Sequence, residues 1–147
     1  MARIVEVGGK DLTAREAVAE AVLVTTPETC MSLVAGTKKG DVIEAARVAG
    51  LMAVKKTPDL LPYCHPVALT GADVSIVADE EGGRITIRTA VRATDRTGVE
   101  MEALTAAAVA ALCLYDAAKA FDRAAVIERV RLLEKRGGKS GEYRREE

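Results

Sequence analysis

Apolar and polar residues alternate through the second half of "AREAVAEAVLVTT" (14–26), and its β-branched end favours a strand over the helix that its Ala and Glu would also suit. The next segment, "TPETCMSLVAG" (26–36), carries Thr26 as N-cap, Pro27 at the first helical position and Gly36 as the stop, so a short helix is predicted. In "GDVIEAARVAGLMAVKK" (40–56) the apolar positions 42, 45, 46, 49, 52 and 53 share one helical face. Asp41 starts that helix, and a lysine pair suits its negative end. "ADVSIVAD" (72–79) and "RITIRTAVRAT" (84–94) alternate on either side of "EEGG" and predict a β-hairpin.

The stretch "TGVEMEALTAAAVAALCLYDAAKAFDR" (97–123) is alanine-rich, lacks Gly and Pro after Gly98, and opens with Thr97 and Glu100 at capping-box spacing. It predicts a long helix. Its apolar middle, 103–114, calls for burial on more than one face, which predicts an oligomer. "VIERVRLLEK" (126–135) reads as a last strand, and 137–147 as a flexible C-terminal tail of a single domain spanning 1–147. With the two early helices counted as one crossover, the order β-α-α-β-β-α-β is that of an α+β, ferredoxin-like fold. That is an antiparallel four-stranded sheet with helices packed on one face.

Composition narrows the function. At 147 residues with 49 % hydrophobic and 29 % charged residues, the chain has the make-up of one globular domain. Aromatics at 3 % leave little for base stacking, and a net charge of −1 gives no basic field for nucleic acid or anionic membrane. No uninterrupted apolar run reaches the roughly 18 residues that span a bilayer, so a cytoplasmic protein is expected. The three cysteines, Cys30, Cys64 and Cys113, are unclustered and odd in number, which fits free thiols rather than a disulfide framework or a zinc site.

Candidate chemistry lies in three places. "LLPYCHPVALT" (60–70) holds the one histidine, His65, beside Cys64 and between Pro62 and Pro66, which restrict φ and present Tyr63, Cys64 and His65 on a stiff segment. A metal site would need about three or four ligands, and no second His or nearby Cys supplies them. A Cys–His nucleophile pair fails because adjacent residues of an extended segment point opposite ways, so the imidazole is either a satisfied structural residue or, if it acts, an acid, base or hydrogen-bond donor. "KKGD" (38–41) puts Lys38 and Lys39 at a helix start, where they oppose the dipole; a ligand anion or simple solvation accounts for them. Neither this segment nor "GGKSG" is a P-loop, since Leu133 stands where Gly is required. In the long helix, Glu100 is explained by the capping box and Glu102 by the first-turn dipole. Asp116 forms an i,i+3 pair with Lys119 and, following "LCLY", is expected to be partly buried. Glu102 and Asp116 lie fourteen residues apart, about 21 Å along a helix, so one small-molecule site would draw on both only across an isologous dimer interface.

Three blocks, "KKGDVIEAARVAGLMAVKKTPDLLPYCHPVALTGADV", "RTGVEMEALTAAAVAALCLYDAAKAFDR" and "VRLLEKRGGKSG", closely resemble the cyclic pyranopterin monophosphate synthases of molybdenum cofactor biosynthesis, the MoaC family, over residues 10–141. The resemblance implies a ferredoxin-like fold, a homohexamer built as a trimer of dimers, and active sites at the dimer interfaces. It implies a phosphorus–oxygen lyase that turns (8S)-3′,8-cyclo-7,8-dihydroguanosine 5′-triphosphate into cyclic pyranopterin monophosphate and pyrophosphate. The family's substrate-binding segments fall on Tyr63, Cys64 and His65 and on Met101 and Glu102, with Glu100 and Lys135 beside them. Its catalytic residues fall on Asp116, Lys39 and Lys119, and Lys139 lies in a tail suited to close over the triphosphate. Two small departures, "RIVEV" for a usual "MVDV" and Tyr63 for a usual aliphatic, touch no charged position. No organic cofactor or protein-bound metal is expected, any magnesium accompanying the triphosphate. A nucleotide-binding module without turnover and a structural oligomer subunit are the rival classes.

Overall fold

The computed structural model describes residues 1–146. Its elements, in chain order, are β1 (Thr13–Val24), α1 (Pro27–Ala35), α2 (Val42–Leu60), β2 (Leu69–Asp79), β3 (Arg84–Asp95), α3 (Glu100–Ala118), β4 (Val126–Arg136) and β5 (Tyr143–Arg144). They form an α+β architecture in which one antiparallel sheet has the strand order β2-β3-β1-β4-β5. The sheet has five strands rather than the expected four. The extra strand comes from the polar C-terminal segment, where Tyr143 and Arg144 pair with Lys135 and Glu134.

Register explains the core. β1 runs against β3 without a shift from Thr13↔Asp95 to Val24↔Arg84, so Ala17, Ala19, Ala21 and Leu23 oppose Val91, Thr89, Ile87 and Ile85. Residues two apart share a face, and this face packs under Ala103, Ala106, Ala107, Ala110 and Leu114 of α3. With so many alanines the helix can lie close to the sheet, and the buried Thr89 hydroxyl donates to the carbonyl of Ala103 at 2.7 Å. α3 is long and apolar enough to cross a membrane by length and composition, with a mean hydropathy of 1.4, but half of that window is buried within the fold. α2 packs beside α3 through Gly50, where an added Cβ would stand 3.0 Å from a Val74 methyl and 3.3 Å from the Ala106 carbonyl oxygen.

Helix ends differ from the sequence reading in informative ways. α1 keeps its expected limits, with the Thr26 hydroxyl accepting from the Thr29 N–H and Gly36 at φ +100° ending it. α2 starts as expected at Asp41, whose carboxylate accepts from the Glu44 N–H, but it does not stop at Lys56. It continues through Pro58 to Leu60; Thr57 is buried there and its hydroxyl donates to the Ala53 carbonyl at 2.7 Å. The capping box at Thr97 and Glu100 does not form: α3 begins at Glu100 behind Val99, with no side-chain cap. Val99 is fully buried, so core packing fixes where the helix begins and overrides the local cap. Its other end also comes earlier, at Ala118, whose carbonyl accepts from both Phe121 and Asp122.

Candidate active site

After α2 the chain turns, with the Cys64 N–H donating to the Leu61 carbonyl at 3.1 Å, and crosses the end of the sheet to enter β2. This segment and the β3–α3 connection form the two walls of a cleft of about 420 Å³, one contributing Tyr63, Cys64 and His65 and the other Thr97, Glu100 and Glu102. The proline-framed segment is therefore a cleft wall, and the lone imidazole lines it.

Two carboxylates stand out in the opposite wall. Glu102 is 1 % exposed; its Oε2 accepts from the Cys64 thiol at 3.7 Å, while Oε1 has no hydrogen-bond partner among the described residues. Oε1 of Glu100 is likewise buried and unpartnered. Burial pushes the Glu102 carboxyl above the usual carboxylate range, opposed in part by its own backbone N–H and by the Cys64 thiol. Burial and the neighbouring Glu102 charge in turn raise Cys64 to about 11, so this thiol is neutral and unreactive near pH 7. Unpaired buried acceptors are costly, and the two glutamates that carry them line one cleft, which suits a ligand that brings N–H or O–H donors. Without the capping box, Glu100 has lost the purely structural role the sequence offered it.

At the other end of α3 a second cavity of about 570 Å³ is lined by Lys39, Tyr115, Asp116, Lys119 and Arg123. Asp116 stands between two ammonium groups: Oδ2 accepts from Lys39 at 2.6 Å and Oδ1 from Lys119. These contacts, that of Lys119 first, hold the Asp116 carboxyl down at about 2. The expected partial burial of Asp116 is not found, since its side chain is 55 % exposed. The apolar residues before it turn towards the core at Ala110, Ala111 and Leu114, and Asp116 lies on the opposite side of the helix. Lys39 reaches it from the turn before α2, closed by Thr37–Gly40 hydrogen bonds with Gly40 at φ +98°.

Lys135 is placed by β4 and its ammonium meets the Ser140 hydroxyl and, at 3.1 Å, the Gly141 carbonyl. Of the candidate residues, one chain thus gathers Tyr63, Cys64, His65, Glu100, Met101 and Glu102 in one cleft and Lys39, Asp116 and Lys119 in another. The two groups sit at opposite ends of α3, with Glu102 and Asp116 about 21 Å apart along the helix. Sequence reading passed over Arg15 and Asp95, which lie behind the first cleft: Asp95 accepts from the Ala68 N–H, and Arg15 donates to the carbonyls of Asp95 and Arg96. Arg15 gave a signal: it shares the parity of the core-facing Ala17, Ala19 and Ala21 yet is charged, and it is 9 % exposed. Among the described residues no group of three or more His, Cys, Asp or Glu side chains is placed to hold a metal ion.

An antiparallel sheet covered by an alanine-rich helix, with two glutamates at one end of that helix that each keep one buried oxygen unpartnered among the described residues and a lysine–aspartate–lysine cluster at the other, defines an α+β protein whose polar chemistry is suited to acid–base work on a small molecule. Comparison with known proteins makes this specific. The chain belongs to the MoaC family, whose model matches residues 4–138. It is 57 % identical to the cyclic pyranopterin monophosphate synthase of Pelotomaculum thermopropionicum, over 98 % of this chain and 85 % of that protein. It is 50 % identical to the synthases of the same name from Chloroflexus aggregans (99 % of this chain, 89 % of the relative) and Geobacter sulfurreducens (98 % and 91 %).

Proposed function

We propose that this chain is a soluble, cytoplasmic lyase of molybdenum cofactor biosynthesis that converts (8S)-3′,8-cyclo-7,8-dihydroguanosine 5′-triphosphate into cyclic pyranopterin monophosphate and pyrophosphate. Full-length similarity to synthases of that name supports the reaction, and the chemistry of the two clefts suits it. The reaction rearranges a purine-derived ring by proton transfers and closes a cyclic phosphate. A substrate hydroxyl loses its proton and bonds to the α-phosphorus, the bond from that phosphorus to the bridging oxygen breaks, and pyrophosphate leaves. Acids, bases and cations suffice for these steps.

In this reading Tyr63, Cys64, His65, Met101, Glu100 and Glu102 hold the ring, the unpaired oxygens of the two glutamates accepting its N–H groups. Lys39 and Lys119 neutralise the triphosphate and donate or accept protons; Asp116 holds both between turnovers and acts as a base once phosphate draws them away. Lys135 contributes a further phosphate contact, and the tail bearing Lys139 closes over it. No cofactor is required beyond magnesium carried by the triphosphate.

The single observation that carries the architecture is the separation of the two half-sites by the length of α3. The outward stripe of this helix, Met101, Ala108, Leu112 and Asp116, is open, with Leu112 56 % exposed and Met101 43 %. Two such helices packed antiparallel about a two-fold axis would bring Asp116 of one protomer to the Glu102 end of the other. We therefore propose a homohexamer built as a trimer of dimers. Each protomer is one domain, its four long strands forming a ferredoxin-like core.

The test is anaerobic incubation of purified protein with the cyclic dihydro-GTP, scoring pyrophosphate release and pterin formation. Turnover by the wild type that is lost in Lys39→Ala and Lys119→Ala establishes the synthase. Binding without turnover would indicate a nucleotide-binding module, and no binding at all a structural subunit.

A further inference from the structure

The ring-binding cleft has two walls from distant parts of the chain, and Asp95 joins them. Its Oδ2 accepts from the backbone N–H of Ala68, three residues past His65, at 2.8 Å. Its Oδ1 accepts from the N–H of Arg96, next to Thr97 in the second wall, at 2.7 Å. The backbone is tied at the same place, with the Thr94 N–H donating to the Ala68 carbonyl at 3.2 Å. The pairing of β2 with β3 shifts register there, between Leu69 and Gly71, so the ladder is irregular where it meets the wall and the Asp95 carboxylate adds side-chain bonds to it.

We propose that Asp95 is a positioning residue of the synthase, a role that rests on the reading above: it sets the distance between the Cys64–His65 wall and the Glu100–Glu102 wall. Arg15 braces it from behind, donating to the carbonyls of Asp95 at 3.2 Å and Arg96 at 3.1 Å. An added Cβ on Gly138, at φ +81°, would collide with the Arg15 guanidinium, so the start of the tail packs against the same brace. The Ala68 N–H, more than any other group, holds the Asp95 carboxyl below the usual carboxylate range, as expected of a carboxylate that remains an acceptor throughout the working pH range. Asp95 does not line the cleft; it acts through the segments that do. Displacement of catalytic groups by about 1 Å costs on the order of a hundredfold in rate.

The test joins hydrogen exchange with kinetics on the full-length protein. Asp95→Ala is expected to speed amide exchange in peptides covering 61–69 and 95–99, leave 103–118 protected, and lower kcat/KM about a hundredfold with the larger share in kcat. Asp95→Asn keeps one acceptor and turns an N–H2 towards the other amide, so its exchange and kcat/KM are expected to fall between wild type and alanine. Should the alanine variant not fold, the asparagine variant decides alone. Wild-type exchange in the two peptides, or kcat/KM within threefold of wild type, overturns the proposal. A wild type without turnover refutes the synthase reading instead, and the exchange data then still decide whether Asp95 joins the walls.

Discussion

Lys39 and Asp116 meet at 2.6 Å across 77 residues of sequence, and the same carboxylate holds Lys119 on its other oxygen. One anion between two cations leaves a net positive charge at that end of α3, a fitting place for a triphosphate. Replacing Asp116 by Asn keeps the shape and removes the charge. Turnover is expected to fall by about 10²–10⁴, checked by pyrophosphate release at saturating substrate; a loss under about tenfold, some 1.4 kcal/mol, would remove Asp116 from the essential residues.

Asp116 is also expected to titrate far below an ordinary aspartate. Its folded-state value of about 2 lies beneath an unfolded value of about 3.9, so the folded protein binds this proton less readily. The stabilisation from its lysine contacts is full above the unfolded value and disappears as pH falls towards 2. Carboxyl NMR shifts should report a midpoint near 2 in the wild type, raised in Lys119→Ala and, to a lesser degree, in Lys39→Ala.

Glu102 is expected to behave in the opposite sense. Its carboxyl is raised by burial, so the folded state binds the proton more readily, and the associated stability is present at low pH and lost as pH rises through the folded value. Glu102→Gln removes the buried charge and should raise stability at neutral pH while lowering activity. Thermal midpoints measured from pH 4 to pH 8 should separate the variant from the wild type progressively on the alkaline side.

Cys64, with its thiol raised to about 11, should react sluggishly with iodoacetamide at pH 7, with a rate still climbing at pH 10. In Glu102→Gln the carboxylate charge is gone, and alkylation at pH 8 should quicken. Mass-spectrometric mapping of Cys64 labelling against pH tests both expectations.

Gly50→Ala should destabilise the protein by about 1–3 kcal/mol through overpacking, because the added Cβ meets a Val74 methyl at 3.0 Å and the Ala106 carbonyl oxygen at 3.3 Å. Denaturant midpoints with an unchanged slope would attribute the loss to α2–α3 packing.

Much of this was legible in the chain itself. The hairpin of β2 and β3, the caps at Thr26 and Asp41 and the strand of Val126–Arg136 rest on local periodicity and local hydrogen bonds, which a sequence displays directly. The stiffness of the Cys64–His65 segment follows from its prolines. Glu100 and Asp116 were judged by local patterns, and both judgments failed where packing intervened. The burial of Val99 moved the helix start and freed Glu100 from its cap, and the rotation of α3 on the sheet sent Asp116 to the surface.

The sequence by itself determined the order of the elements from β1 to β4, the core-facing parity of the strands and the residue types available for chemistry, because these depend on spacing along the chain. Tertiary structure alone decided that Lys39 meets Asp116, that Cys64 meets Glu102 and that Asp95 joins two walls. Those relationships depend on which turn of one element comes to rest against another, and that is fixed by burial of Val99 and the alanines of α3 rather than by the polar groups themselves.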